Sequence, residues 1–263
     1  MSVKTVFIAG TALAGLTLPG LAADYLPPPP VMPAAAPVSE LGSGWYLRGD
    51  VGYVNYRNPK EAPYSTVALP PLDRPTLSNE WSLGGGVGFK FNDWFRADAT
   101  VDHRLRSRFR ATSSRTGYVE GYSTDTAEFA STSFLLNGYL DLGRWGGVTP
   151  YVGAGVGFAR NKFHDYTAEI TCVLPTCGGG PGAFFPLGPQ GKVPHGSGWT
   201  TDLAWALMAG VAVDTGAGFK LDLGYRYVNL GPAKNQLDAF GIGTKLKSIE
   251  AHEARVGFRY MID

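Results

Sequence analysis

The sequence predicts an all-β protein: an eight-stranded antiparallel up-and-down transmembrane β-barrel, preceded by a signal peptide and a Pro-rich periplasmic tail. Three observations lead to this class. From residue 44 onward, apolar residues recur with a period of two rather than 3.6, the signature of strands with two unlike faces. Eight such stretches are joined by connections that alternate between short and long, as in outer-membrane barrels. The composition agrees. Only 17% of the 263 residues are charged, against a usual share of about a quarter. Thirty-six are Gly, which weakens helix interiors, and 13% are aromatic.

Each strand is justified by its alternation. Strand one is read as Trp45 to Tyr56, with Trp45, Leu47, Val51 and Tyr53 opposing Tyr46, Arg48 and Asp50. Strand two runs over about Glu80 to Phe91, its apolar face being Trp81, Leu83, Val87, Phe89 and Phe91. Strand three covers about Trp94 to Leu105, where Phe95, Ala97, Ala99, Val101 and Leu105 oppose Arg96, Asp98, Thr100, Asp102 and Arg104. Strand four, about Ala127 to Leu142, sets Phe134, Leu136, Leu140 and Leu142 against Ser133, Asn137, Tyr139 and Asp141. Strand five, about Thr149 to Arg160, sets Val152, Ala154, Val156 and Phe158 against Tyr151, Gly153, Gly155 and Gly157. Strand six spans about Thr200 to Val213, with Leu203, Trp205, Leu207, Val211 and Val213 on one face. In strand seven, about Gly218 to Asn229, Phe219, Leu221, Leu223, Tyr225 and Tyr227 oppose Lys220, Asp222, Gly224 and Arg226. Strand eight, about Ile249 to Met261, sets Ala254, Val256, Phe258 and Tyr260 against Glu253, Arg255, Gly257 and Arg259.

The connections at Asn92-Asp93, Gly143 to Val148 and Asp214 to Ala217 are short and turn-like. Residues 57–79, 106–126, 161–199 and 230–248 read as long polar loops. A soluble barrel would need its apolar face inside. Here the opposite face is dense in Arg, Asp, Lys and Glu, so lipid outside and charge inside is the consistent assignment, with all backbone groups paired around a closed sheet. Trp45, Phe91, Trp94, Phe95, Trp145, Phe219 and Tyr260 are expected at the periplasmic rim, and Tyr56, Phe109, Phe129 and Tyr227 nearer the outer rim.

Three regions follow: a signal peptide over 1–22, a Pro-rich periplasmic linker over 23–43 and the barrel over 44–263. Lys4, the apolar run Val6 to Leu18 and the small-x-small site Gly20-Leu21-Ala22 make the first. Pro27 to Pro30 forbid helix and ladder alike and leave an extended spacer. The even strand count returns both chain ends to the periplasm and puts the long loops outside the cell.

The charged residues expected in the lumen are Arg48, Asp50, Lys90, Arg96, Asp98, Asp102, Arg104, Asp222, Arg226, Glu253, Arg255 and Arg259. An eight-strand lumen is only wide enough for side chains to fill it, so these should pair into a polar plug. Gly84, Gly86, Gly88, Gly153, Gly155 and Gly157 make room for the Arg and Tyr side chains opposite. Cys172 and Cys177, the only two cysteines of an exported chain, are expected to form one disulfide in the third long loop.

Other chemistry finds little support. Lys and Arg number 23 and Asp and Glu 22, so nothing marks a nucleic-acid partner. No spacing of His and Cys matches a metal site, and no cofactor is expected. His195-Gly196-Ser197 is the only His-x-Ser and lies in a Gly/Pro-rich loop with no Glu at a persuasive distance, so no catalytic residue is expected. His103 can face lipid and His252 reads as a rim residue.

Four stretches carry a resemblance: Gly44-Trp45-Tyr46-Leu47-Arg48-Gly49, the run Thr149 to Gly155, the run Leu221 to Tyr227, and the run Glu253 to Tyr260. With the signal and the Ala-Asp start, they resemble the small alphaproteobacterial outer-membrane β-barrel proteins, the opacity-like porin family. One departure is that Tyr260 is followed by Met261-Ile262-Asp263, whereas such barrels usually end on the aromatic. The family includes structural proteins, porins and haemin binders, and with its plugged lumen this chain reads as a structural outer-membrane protein supporting envelope integrity. Its partners would be outer-membrane lipid and lipopolysaccharide and the barrel-assembly machinery. The resemblance also implies a covalent tether to peptidoglycan, since several members with such a start are joined through the N-terminus, here Ala23-Asp24. Alternatives are a small-solute porin, and a surface adhesin or haemin binder acting through the external loops, with His164 and His195 as the haemin candidates. The sequence does not set the oligomeric state.

Overall fold

A computed structural model describes residues 44–66, 71–113, 121–173, 188–238 and 241–262. The signal, the linker, Ala23 and Asp24 therefore lie outside the described residues, as does Cys177. The described residues are all-β, with no helix among them. Eight strands form the barrel: β1 (Trp45–Tyr56), β2 (Glu80–Lys90), β3 (Phe95–Ser113), β4 (Gly121–Asp141), β5 (Val148–Cys172), β6 (Gly198–Gly216), β7 (Phe219–Asn229) and β8 (Glu250–Met261). Each pairs antiparallel with its sequence neighbours, and β1 pairs with β8, so the sheet closes with no free edge.

Alternation decides which side chains face out. Leu47, Val51, Leu83, Val87, Leu136, Val156, Phe158, Leu203, Leu207, Val256 and Phe258 are all exposed and form an apolar belt around the barrel. Large apolar side chains turned away from a filled interior are what a bilayer-spanning barrel requires.

At one end the connections are tight. The Asn92 side chain accepts hydrogen bonds from the Trp94 and Phe95 amides. Between β6 and β7 the turn is two residues long, and Ala217 (φ 50°) and Gly218 (φ 77°) both have positive φ, matching the right-handed twist of the strands. Gly at 218 meets that need freely, whereas Ala217 bears a Cβ penalty. Ala217→Gly is therefore expected to stabilise the barrel by about 0.5–1 kcal/mol, read as a shift of the urea unfolding midpoint in lipid vesicles.

The other end differs from expectation. Strands β3, β4, β5 and β6 have 19, 21, 25 and 19 residues, while β1, β2, β7 and β8 have only 12, 11, 11 and 12. Much of what read as loop in 106–126 and 161–199 continues as strand. Polar Thr, Ser and Arg residues there alternate as well as apolar ones do, but outside the belt the outer face no longer needs to be apolar. One wall is thus tall and the other short. The segments 57–79 and 230–248 are not plain loops either. Asp73–Leu77 pairs with upper β3, and Glu61–Ala62, Ala233–Lys234 and Lys245–Leu246 form a small three-stranded sheet. Gly188–Pro194 pairs with upper β5.

Folding the short wall's connections against the tall wall makes an apolar core inside the tall end. Phe109, Phe129, Phe163 and Tyr166 from the wall meet Leu72, Leu77, Leu230, Leu246 and Ile249 from the connections, with Tyr56 and Val54 of β1 beneath. Ring centroids lie 5.5 Å apart for Phe109 and Phe163 and 5.6 Å for Phe129 and Phe163. Here Tyr56, Phe109 and Phe129, expected in the outer aromatic girdle, are corrected: all three are buried inside. Tyr56 and Phe129 share the inward parity of Tyr46 and Tyr139. Phe109 is turned inward by a bulge between Arg104 and Ser107, which shifts the register by one residue. Tyr53, Trp81, Trp199 and Tyr225 stand exposed toward that end of the belt instead.

Candidate functional site: the closed lumen

Within the belt the inward face is charged. Six arginines (48, 96, 104, 226, 255 and 259) meet six carboxylates (Asp50, Asp98, Asp102, Asp141, Asp222 and Glu253). Glu253 sits at the centre. It accepts from Arg104 Nε at 2.8 Å and from Arg226 Nε at 2.7 Å. Asp102 accepts from Arg226 and Arg255, each at 2.7 Å. Arg48 bridges Asp50 and Asp98, both at 2.8 Å, and donates to the Tyr139 hydroxyl at 2.7 Å. Two pairs stand apart nearer the turn end: Arg259 with Asp222 at 2.6 Å and Arg96 with Asp141 at 3.2 Å.

Of the twelve side chains expected in the lumen, eleven lie in these pairs. Lys90 does not. It lies at the turn-end rim and pairs with Asp93 at 2.7 Å, holding that exposed carboxyl below its usual pKa. Asp141 is the partner that the expected set left out, and three tyrosines complete the fill. The Arg96 guanidinium lies 3.9 Å from the Tyr139 ring centroid and 4.7 Å from that of Tyr151. Tyr46 donates to Asp98 at 3.0 Å.

Glycines give these side chains their space. A Cβ at Gly88 would collide with the Tyr46 ring, one at Gly153 with Tyr139, and one at Gly84 with Asp102. Gly88→Val is expected to cost about 1–3 kcal/mol and to shift heat-modified mobility on electrophoresis to lower temperature, because Tyr46 must leave its place on Asp98. One void in this layer is about 20 Å3, lined by Arg48, Asp50, Tyr139, Asp222 and Arg255 among others. That is room for about one water molecule.

Above the charges, polar side chains fix the connections. Asn161 donates to the carbonyl oxygens of Leu230 and Pro232 at 2.8 and 2.9 Å and accepts from Ser131 at 2.8 Å. Tyr166 donates to Asp125 at 2.7 Å, and Ser123 donates to the same carboxylate at 2.8 Å. Sequence reasoning missed this layer. Its residues sit where loops were expected, and no spacing announces that a loop will fold back.

The remaining candidates are scattered. His164 and His195 are not brought together: His164 lies on the outward face of β5, while His195 packs edge-on against inward Tyr166 and pairs with Asp238 at 3.0 Å. Ser197 is exposed. His103 faces outward against Thr132, and His252 against Tyr225. Cys172 is buried at the end of β5 and is not a free thiol, but Cys177, its expected partner, lies outside the described residues. Among the described residues no group of three or more His, Cys, Asp or Glu is placed to hold a metal ion.

The chain is similar to an uncharacterized protein of Brucella suis biovar 1, 32% identical over 255 residues, covering 83% of this chain and 84% of that one. It is also similar to a Rickettsia bellii protein named "Putative adhesin", 24% identical with 88% and 94% covered. Among solved structures, the outer membrane protein OprG of Pseudomonas aeruginosa aligns with TM-score 0.48 and 13% identity, over 84% of this chain and 96% of that one. Residues 30–261 match the family described as outer membrane protein beta-barrel domain, and to that family this outer-membrane protein belongs.

Proposed function

We propose that the protein is a structural, non-catalytic component of the outer membrane, a sealed barrel that supports envelope integrity. Its turn end faces the periplasm, and its tall end faces outward. One observation carries this reading: the lumen is closed twice, by a balanced network of six cations and six anions and by an apolar core above it. A pore needs a continuous polar path, and two packed layers in series speak against one. In planar bilayers the purified chain is expected to give no discrete conductance steps. Reproducible unit steps would overturn the seal and favour the porin reading.

The tether belongs to the same proposal. Ala23-Asp24 would begin the mature chain, and the prolines after it give reach toward the wall. Mass spectrometry of muramidase-digested, detergent-boiled walls should find the Ala23 peptide joined to a muropeptide. Only free Ala23 would remove the tether. A second reading, attachment at the cell surface through the tall end, draws on the printed name of the Rickettsia relative.

A further inference from the structure

The small three-stranded sheet folded over the lumen has two unlike faces. Leu246 and Ala233 stand opposite each other and are fully buried in the apolar core. Strand alternation turns the next residues the other way, so Lys234, Lys245 and Lys247 face away from the core. Lys234 stands directly opposite Lys245. One step beyond the pairing of Leu246 with Glu61, the Lys247 amide donates to the Lys60 carbonyl at 2.7 Å, which sets these two opposite as well. Lys60 and Lys247 are exposed, and Lys234 and Lys245 are half-buried. The result is a two-by-two array of lysines, spaced about 5 Å across the strands and about 7 Å along them.

Among the described residues none of the four lysines forms an ion pair. The carboxylates near them in sequence are engaged elsewhere. Glu61 accepts from the Leu72 amide at 2.6 Å on the inward face, Asp238 pairs with His195 at 3.0 Å, and Glu250 pairs with Arg57 at 2.7 Å. The Lys234 ammonium lies 5.6 Å from the Tyr64 ring centroid, a contact that leaves its charge in place. Like charges directly opposite on a sheet are destabilising. Here they sit on strands of only two residues, Ala233–Lys234 and Lys245–Leu246, which have little pairing to spare. Across the whole chain cations exceed anions by one, so a local surplus of four is not a reflection of composition. The array fits a surface whose counter-charge arrives from outside.

We propose that this cap binds a linear sulfated polysaccharide outside the cell. Successive sulfates would lie on Lys234 and Lys245 and on Lys60 and Lys247. Ammonium groups are compact point charges with rotatable donors, suited to anions presented at varied angles. The spread of the array calls for a polymer with anions at intervals rather than a single phosphate. A nucleic acid would need open rings on which its bases stack. The ring at this array, Tyr64, is occupied by Lys234. The inference goes beyond the sealed barrel and gives the surface-attachment reading a ligand class. It rests on the outward orientation of the tall end proposed above, since the sheet lies among the connections at that end.

The test titrates the full chain, in a zwitterionic detergent, with heparin, with heparin stripped of its sulfates, and with a single-stranded oligonucleotide of similar length. Heparin should bind, and the other two should bind far more weakly. Lys234→Gln/Lys245→Gln and Lys60→Gln/Lys247→Gln should each weaken heparin binding by about tenfold or more. Lys234→Arg/Lys245→Arg should keep most of it. Arg108→Gln/Arg110→Gln, on two exposed arginines of the tall wall, should leave it nearly unchanged. Heat-modified mobility checks that each variant is folded. Absent heparin binding, equal binding of the desulfated chain or the oligonucleotide, or an equal loss in the arginine variant would overturn the proposal. A Thr112→Cys reporter at the tall end, probed with an impermeant maleimide on intact cells, separates the site from the orientation. Labelling without heparin binding overturns this proposal alone. Binding without labelling overturns the orientation, and with it the external source.

Discussion

Glu253→Ala is expected to destabilise the barrel by about 3–5 kcal/mol, because it leaves two cations buried in the lumen without their shared anion. Arg104 and Arg226 are fully enclosed and both donate to this carboxylate. Arg255 loses a weaker contact at 3.4 Å. A neutral water entering the gap would not supply the missing negative charge. Urea unfolding of the refolded protein in vesicles would read the loss as a large fall in midpoint. Glu253→Leu combined with Arg104→Met should recover part of it, since one cation then leaves with its anion, while Arg226 keeps Asp102. A Glu253→Ala variant within about 0.5 kcal/mol of the parent would show that the network contributes nothing a rearranged lumen cannot supply.

The second large effect is expected in the other layer. Phe163→Ala removes a ring with no exposure that packs on Phe109, Phe129 and Tyr166. Deleting a buried phenyl ring costs about 3–5 kcal/mol, as lost burial and as the cavity left behind. The rings around it are fixed on β3, β4 and β5, which the sheet holds in place, so collapse around the gap is limited. Stability should fall by that amount while conductance stays absent, because the charged layer below is untouched. If Phe163→Ala alone produced channel steps, the arginine network would not be a seal.

How far the fold was legible depends on where each segment sits relative to the belt. Lipid imposes a strict alternation on Leu47 to Tyr53 or Val152 to Phe158, and there the strands and their inward charges could be counted from the sequence. Beyond the belt that pressure disappears. The run Tyr122 to Thr126 looks like a polar loop yet continues β4, because its inward members Ser123 and Asp125 are held by hydrogen bonds inside the barrel and its outward ones only by water. Bulges hid more. Two residues, Leu105 and Arg106, stand against one on β4, so a parity count carried through from Arg96 assigns Phe109 to the wrong face. The pairs themselves were beyond reading: Arg104 and Glu253 are separated by 149 positions, and only barrel closure brings them together. Asp141 was recognisable as inward, but at the end of its strand nothing marked it as the counter-ion of Arg96.

The equality of charge in the lumen has a consequence for how the protein responds to its surroundings. A bare charge carried across a membrane potential is worth about 2.3 kcal/mol per 100 mV, but a column whose cations and anions sum to zero and interlock at hydrogen-bond distance offers a field almost no net charge to pull. The same closeness keeps dissolved ions from the central pairs: the void beside Arg226 and Arg255 is about 20 Å3, too small for hydrated sodium or chloride, whereas Asp141 and Arg259 border a concavity of about 330 Å3 at the turn end. Brine and fresh water should therefore find the pairs around Glu253 equally firm, while the exposed arginines of the tall wall feel every change in salt. The barrel can hold one shape through shifts in osmolarity and voltage.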